Sequence, residues 1–271
     1  MSAFPELALK FSSIRSRRMI ETQARELGLD KLAREVALAT GSAVAAGPFT
    51  GMKLDYELLP VCTSPKFMGT YEKELHSVIE RAIQLGPRYI LNVGCAEGFY
   101  AVGLAIRLNN AHVYAADADP KALSATIKNA ALNNVSDRVH QAGIVKPRGF
   151  NKYLRADASL LVMDCEGAEF DLLDPRNDPI LSRTNILVEI HPEHGEKWEI
   201  IRRFVQTHYI TEIRSTVRTA SDFAASPIKG VDLLKAVDEW RIDGQSWLFL
   251  EIKPKDHPNP KPEGHSIENI G

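Results

Sequence analysis

The chain has 271 residues, 44% hydrophobic and 25% charged, with a formal net charge of -2 at pH 7, enough for one large α/β domain plus an appendage. That balance lacks the basic excess of nucleic-acid binding, and Cys62, Cys95 and Cys165 are too scattered for a zinc or disulfide framework. Neither a secretory h-region nor an apolar run of roughly 18 residues is visible, so the expectation is a cytoplasmic protein that meets neither nucleic acid nor membrane.

Residues 17–40 place Ile20, Ala24, Leu27, Leu32 and Val36 at helical spacing, and Gly41 is a plausible stop. This helix is a candidate dimerisation element. A Gly- and Pro-rich connector follows, and residues 1–68 read as a helical extension with a segment that covers a pocket. Tyr71 to Leu85 is amphipathic and closes at Gly86-Pro87.

Strands and helices then alternate. Apolar runs at Arg88–Val93, Ala111–Ala116, Arg138–Ala142, Ser159–Met163 and Asn185–Ile190 predict five strands. Helices are expected from about Gly98 to Leu108, Pro120 to Leu132 and His194 to Thr207, with further strands at Tyr209–Ile213 and Trp247–Ile252. Continuous apolar strands separated by helices imply a parallel sheet covered on both faces. Right-handed crossovers make it doubly wound. The main domain is expected over 69–255, and the Pro-rich segment 256–271 reads as a flexible tail.

Ligands of such sheets bind beyond the carboxyl ends of the strands, where the winding reverses. The first strand ends in Asn92-Val93-Gly94-Cys95-Ala96-Glu97-Gly98. Gly94 permits a sharp turn and close approach of a ligand, and Gly98 opens the next helix. Asp117 ends the second strand, about where an acidic side chain reaches a ribose diol. Asp119-Pro120 supplies an N-cap and a first helical residue.

A dinucleotide site wants G-x-G-x-x-G and a pyrophosphate at the helix N-terminus. This turn is G-x-x-x-G with Glu97 inside it. A carboxylate there would repel a pyrophosphate, whereas S-adenosylmethionine (SAM) carries an ammonium and a sulfonium. The choice tips toward SAM and away from NAD(P), whose oxidoreductases remain the alternative beside a silent SAM-binding protein. No G-x-S-x-G elbow, P-loop or [DN]-P-P-[YFW] signature occurs.

The turn and its acidic partner resemble motif I and the residue after it in class I SAM-dependent methyltransferases. The wider pattern is similar to the FkbM-like family, through GPFTGM at Gly47–Met52, GTYEKEL at Gly69–Leu75, NVGCAEGFY at Asn92–Tyr100, MDCEGAEFDLL at Met163–Leu173 and VEIHP at Val188–Pro192. The resemblance implies a mostly parallel seven-stranded Rossmann-like sheet with an antiparallel edge pair, and O-methylation of a hydroxyl on a small molecule such as a sugar. The cofactor set would be Asn92, Gly94, Cys95, Ala96, Gly98, Asp117, Ala118 and Gly143. Asn92 stands where many such enzymes are acidic, and Ala96 where a glycine is common.

Asp164 ends the fourth strand, and Glu166 and Glu169 begin a helix whose dipole favours carboxylates. Glu189 and His191 are two apart on the fifth strand, so they share a side. Asp164, His191 and Glu166 are the candidate catalytic groups. Three devices fit: His191 or Asp164 as general base, an ion-pair network, or Asp164, Glu189 and His191 around Mg²⁺ or Mn²⁺. Cys95 and Cys165 read as packing residues.

Overall fold

The computed structural model describes residues 26–59, 63–218, 231–239 and 246–254. The expected helix over 17–25 and the tail from 255 lie outside these residues. Seven strands form one sheet: β1 (Tyr89–Val93), β2 (His112–Ala116), β3 (Val139–Gln141), β4 (Ser159–Met163), β5 (Asn185–Ile190), β6 (His208–Arg214) and β7 (Ser246–Ile252). Their order is β3-β2-β1-β4-β5-β7-β6. Strands β1 to β5 are parallel, and β7 runs antiparallel between β5 and β6. The winding reverses between β1 and β4, and in such sheets ligands bind outside the carboxyl ends of the strands at that point.

The sheet is apolar on both faces because alternate residues point to opposite sides. Ile90, Val113, Val162, Leu187 and Phe249 enter one core, while Leu91, Ala116, Met163, Val188 and Leu250 enter the other. The first face is covered by α1 (Leu29–Ala39), α2 (Ser64–Met68), α3 (His76–Gln84), α4 (Phe99–Arg107), α5 (Pro120–Leu132) and, late in the chain, α8 (Val231–Val237). The second receives the short α6 (Glu169–Leu172) and α7 (Lys197–Phe204).

Helix α1 spends its apolar face inside the chain. Leu29, Leu32, Ala33, Val36 and Ala37 are buried, in the same core as Leu54, Phe67 and Ile79. A homodimer through this helix would have to use its outer side, where Leu38 is exposed. Two helices were not anticipated. Helix α2 is five residues with Pro at its first turns, too short for a period, and α8 lies in a segment of mixed pattern. No helix among the described residues is long and apolar enough to cross a membrane.

Candidate cofactor and acceptor site

The turn after β1 is built tightly. Both Gly94 and Cys95 donate backbone N–H groups to Ala116 O, at 2.8 and 3.1 Å, which ties the tip of β1 to that of β2. Gly94 has φ 75°, and a Cβ there would stand 1.5 Å from the carbonyl oxygen of Asp164. Only glycine fits this crossing of the β1 and β4 tips.

Ala96 takes φ 46°, a left-handed conformation that strains a residue with a side chain. Its N–H is held by Asp117 Oδ2 at 3.0 Å, while Asp117 Oδ1 accepts from Asp119 N at 2.8 Å. Asp117 therefore braces the turn, and its carboxylate still has lone pairs for a diol. Ala118 is exposed just beyond it. Gly143 follows β3 at φ 63° with open space around it. Gly98 and Cys95 face inward instead: a Cβ on Gly98 would meet Thr126, and Cys95 Sγ lies 3.4 Å from Thr126 Oγ1.

Asn92 is buried beside them. Its amide nitrogen donates weakly to Val162 O at 3.4 Å, and its Oδ1 has no protein partner. A buried acceptor left open at the tip of β1 suits a ligand donor such as an ammonium. The residues present thus fit SAM: an open acceptor at Asn92, a turn at Gly94 with room for no side chain, and at Asp117 a carboxylate with lone pairs left for a ribose diol.

Glu97 does not face that ligand space. Its side chain is buried and forms an ion pair with Lys66 Nζ, which also lies 4.5 Å from the Tyr71 ring centroid. The expected repulsion of a pyrophosphate by Glu97 is therefore masked by Lys66. What separates this chain from the dinucleotide fold is topology, since that fold continues with a parallel sixth strand rather than an antiparallel one between β5 and β6.

On the other side of the crevice, Asp164, Glu166 and His191 come together. His191 Nε2 lies 3.7 Å from Asp164 Oδ1 and 3.7 Å from Glu166 Oε2. Its Nδ1 is 2.8 Å from Glu169 Oε1, which also accepts the His191 backbone N–H at 3.0 Å. Glu169 Oε2 accepts from Gly167 N at 2.9 Å. Glu169, expected only to complement a helix dipole, is thus the buried carboxylate that orients the histidine. Nothing local signals this, because its partner is 22 residues away on another strand.

The expected metal set of Asp164, Glu189 and His191 is regrouped. Among the described residues, the donor atoms within 4.8 Å of one another belong to Asp164, Glu166 and His191. Glu189 is buried and hydrogen-bonds Asp164 instead. Glu72, from the GTYE turn, lies near enough for its charge to act on Asp164. Glu72 is 1% exposed, takes φ 46° and accepts from Tyr100 Oη.

The electrostatics follow from this crowding. Burial and the charges of Glu72 and Glu166 raise Asp164 above the ordinary carboxylate range, against the pull of His191 and the Glu189 hydrogen bond. Burial disfavours a charged His191, but the bond to Glu169 and the surrounding carboxylates overcome it and raise the imidazole to about 9. Burial pushes the Cys95 thiol up to about 12 and raises Cys165 further, which fits packing rather than nucleophilic chemistry.

Residues 75–158 match the family model of ribosomal protein L11 methyltransferase (PrmA). A ribosomal protein L11 methyltransferase of Acinetobacter baylyi is 39% identical over 75 residues, covering 28% of this chain and 23% of that protein. One from Methylococcus capsulatus is 43% identical over 53 residues, covering 20% and 18%. The chain thus spans less than a quarter of the length of the curated relatives it matches. The structure of an O-methyltransferase from Bacillus cereus in complex with SAH aligns over 82% of this chain and 91% of its own, at 13% identity and a TM-score of 0.43. The matched stretch, 75–158, contains the whole glycine turn, Asp117 and Gly143 and ends just before β4.

Proposed function

We propose that this chain is a SAM-dependent methyltransferase that methylates a hydroxyl group held at the Asp164, Glu166 and His191 rim. The observation that carries the cofactor assignment is the Gly94 turn, joined to Asp117 through the Ala96 N–H, at the reversal point of a sheet whose antiparallel β7 lies between β5 and β6. Asn92, Gly94 and Ala96 line the turn, Asp117 takes the ribose, and Ala118 and Gly143 border the base. When bound, SAM supplies an electrophilic methyl group on a sulfonium.

The relatives are named for ribosomal protein L11, but the family match stops at residue 158, before any residue of the rim. The acceptor is therefore argued from Asp164 onward. Bound SAM would supply the methyl group to the acceptor oxygen, with the carbon–sulfur electron pair staying on sulfur, and the hydroxyl proton would pass to the Asp164 carboxylate. Asp164 and Glu166 can accept the hydrogen bond of an incoming hydroxyl and aim its lone pair. Glu189 beneath Asp164 and Glu169 behind His191 hold that geometry.

Calorimetry with SAM, SAH and NAD⁺ tests the cofactor, and NAD⁺ binding with no SAM binding would reverse it. Transfer from methyl-labelled SAM to a panel of sugars and phenols, with a ribosomal protein fraction in parallel, tests the acceptor. Label appearing only in protein would overturn the hydroxyl reading while leaving the methyltransferase one.

A further inference from the structure

The rim contains a histidine that is held from behind and open in front. The His191 side chain is 6% exposed, and its Nε2 stands 3.7 Å from each of two carboxylate oxygens, beyond hydrogen-bond distance. Glu169, fully buried, fixes the ring through Nδ1 at 2.8 Å. A carboxylate on one ring nitrogen with the other directed at a donor set is how proteins orient histidine toward a metal. Ligand atoms about 2.1–2.2 Å from a shared ion lie about 3.0–3.6 Å apart at octahedral or tetrahedral angles. The two 3.7 Å separations are slightly wider, a gap that the exposed Glu166 side chain and the part-exposed Asp164 side chain can close around an ion.

We propose that Asp164, Glu166 and His191 bind one divalent first-row cation, Mn²⁺ in preference to Mg²⁺, with Glu169 as the residue that positions His191. Two carboxylates supply the charge a dication needs. The imidazole selects the metal: Mg²⁺ prefers an all-oxygen shell and Ca²⁺ takes six to eight oxygens, whereas nitrogen donors favour transition ions. Glu166 reaches from solvent, its side chain 82% exposed, so coordination positions stay open on the crevice side. Glu189, hydrogen-bonded to Asp164, orients that ligand as Glu169 orients His191.

The role of this ion rests on the methyltransferase reading: beside the donor methyl it would orient the acceptor oxygen and lower the pKa of its hydroxyl. Its binding does not rest on that reading and is measured without SAM or acceptor. Purified chain, stripped with chelator, is titrated with Mn²⁺ and the free ion is followed by electron paramagnetic resonance. One Mn²⁺ per chain is expected, displaced by Zn²⁺ and resisting about a tenfold excess of Mg²⁺. Glu166→Gln, at an exposed position, should weaken binding at least about tenfold, as should Asp164→Asn, while the exposed Glu193→Gln should change nothing. Glu169→Ala should lose about tenfold, and Glu169→Gln, which keeps an oxygen for Nδ1–H, should recover most of it. A SAM thermal shift in each variant reports the fold and the cofactor reading separately. Absence of stoichiometric Mn²⁺ binding in a chain that still binds SAM overturns the proposal, as does binding that survives both Glu166→Gln and Asp164→Asn.

Discussion

The carbonyl oxygen of Asp164 occupies the place a side chain on residue 94 would need, 1.5 Å from an ideal Cβ on Gly94. The Gly94 turn and the end of β4 are therefore in backbone contact, and Asp164 N also donates to Val93 O at 2.9 Å. Gly94→Ala should destabilise the chain by more than about 3 kcal/mol, since a left-handed alanine costs about 1–2 kcal/mol before the clash is counted. Gly143→Ala, at a similar φ but with open space around it, should lose only the left-handed cost. Chemical denaturation of the two variants checks the difference; equal losses would mean that the Asp164 contact is unimportant.

Asp117 uses one oxygen for Ala96 N and the other for Asp119 N, and its remaining lone pairs are proposed to take the ribose. Asp117→Ala should weaken SAM binding by roughly 1.5–3 kcal/mol, the range for hydrogen bonds to a charged group. Because Ala96 is held at φ 46°, the turn should also loosen, visible as faster amide exchange at residues 95–98. A calorimetric dissociation constant equal to that of the parent chain would refute the assignment.

The fold was legible because its signals are local. Strands β4 and β5 have the expected bounds, since SLLVM and NILVEI are unbroken apolar runs ended by Asp164 and His191. The glycine turn after β1 was legible for the same reason, its residues being consecutive. The rim was only half legible. Asp164 and His191 are strand ends, but Glu169 reaches His191 across 22 residues and Lys66 reaches Glu97 across 31. Such pairings have no period, and helix-terminal glutamates are common enough to hide one that matters. The reading of Glu97 as a ligand-facing charge went wrong for that reason.

Acid should destabilise the chain through two histidines held neutral by burial. Desolvation lowers the pKa of both His208 and His76 from the ordinary 6.5. His208 bonds Thr184 O through Nε2 at 2.9 Å and Thr207 Oγ1 through Nδ1 at 2.8 Å. Above about pH 6.5 both rings are neutral folded or unfolded, so nothing is lost. As pH falls from there toward the folded-state values, the unfolded chain takes up protons first and stability declines, by about 1.4 kcal/mol for each unit of depression. Imidazole resonances in a pH titration give the check: His208 titrating at or above 6.5 would contradict the argument.

The buried pair of Lys66 and Glu97 joins the N-terminal part of the chain to the cofactor turn. Lys66 is on α2, its side chain 9% exposed, and that of Glu97 is 1% exposed. The Lys66 ammonium also lies over the Tyr71 ring, 4.5 Å from its centroid, a contact worth about 2 kcal/mol when desolvated. Removing one partner leaves the other charge buried and unpaired, which costs about 3–5 kcal/mol. Lys66→Met and Glu97→Gln should each lose about that much, and each should weaken SAM binding because the turn holding Gly94 and Gly98 is released. Removing both charges together leaves neither uncompensated, so Lys66→Met with Glu97→Gln should recover much of the stability. A double-mutant cycle by denaturant unfolding measures this coupling. Additive losses would mean that the two side chains act independently, and that α2 is not the element that braces the turn.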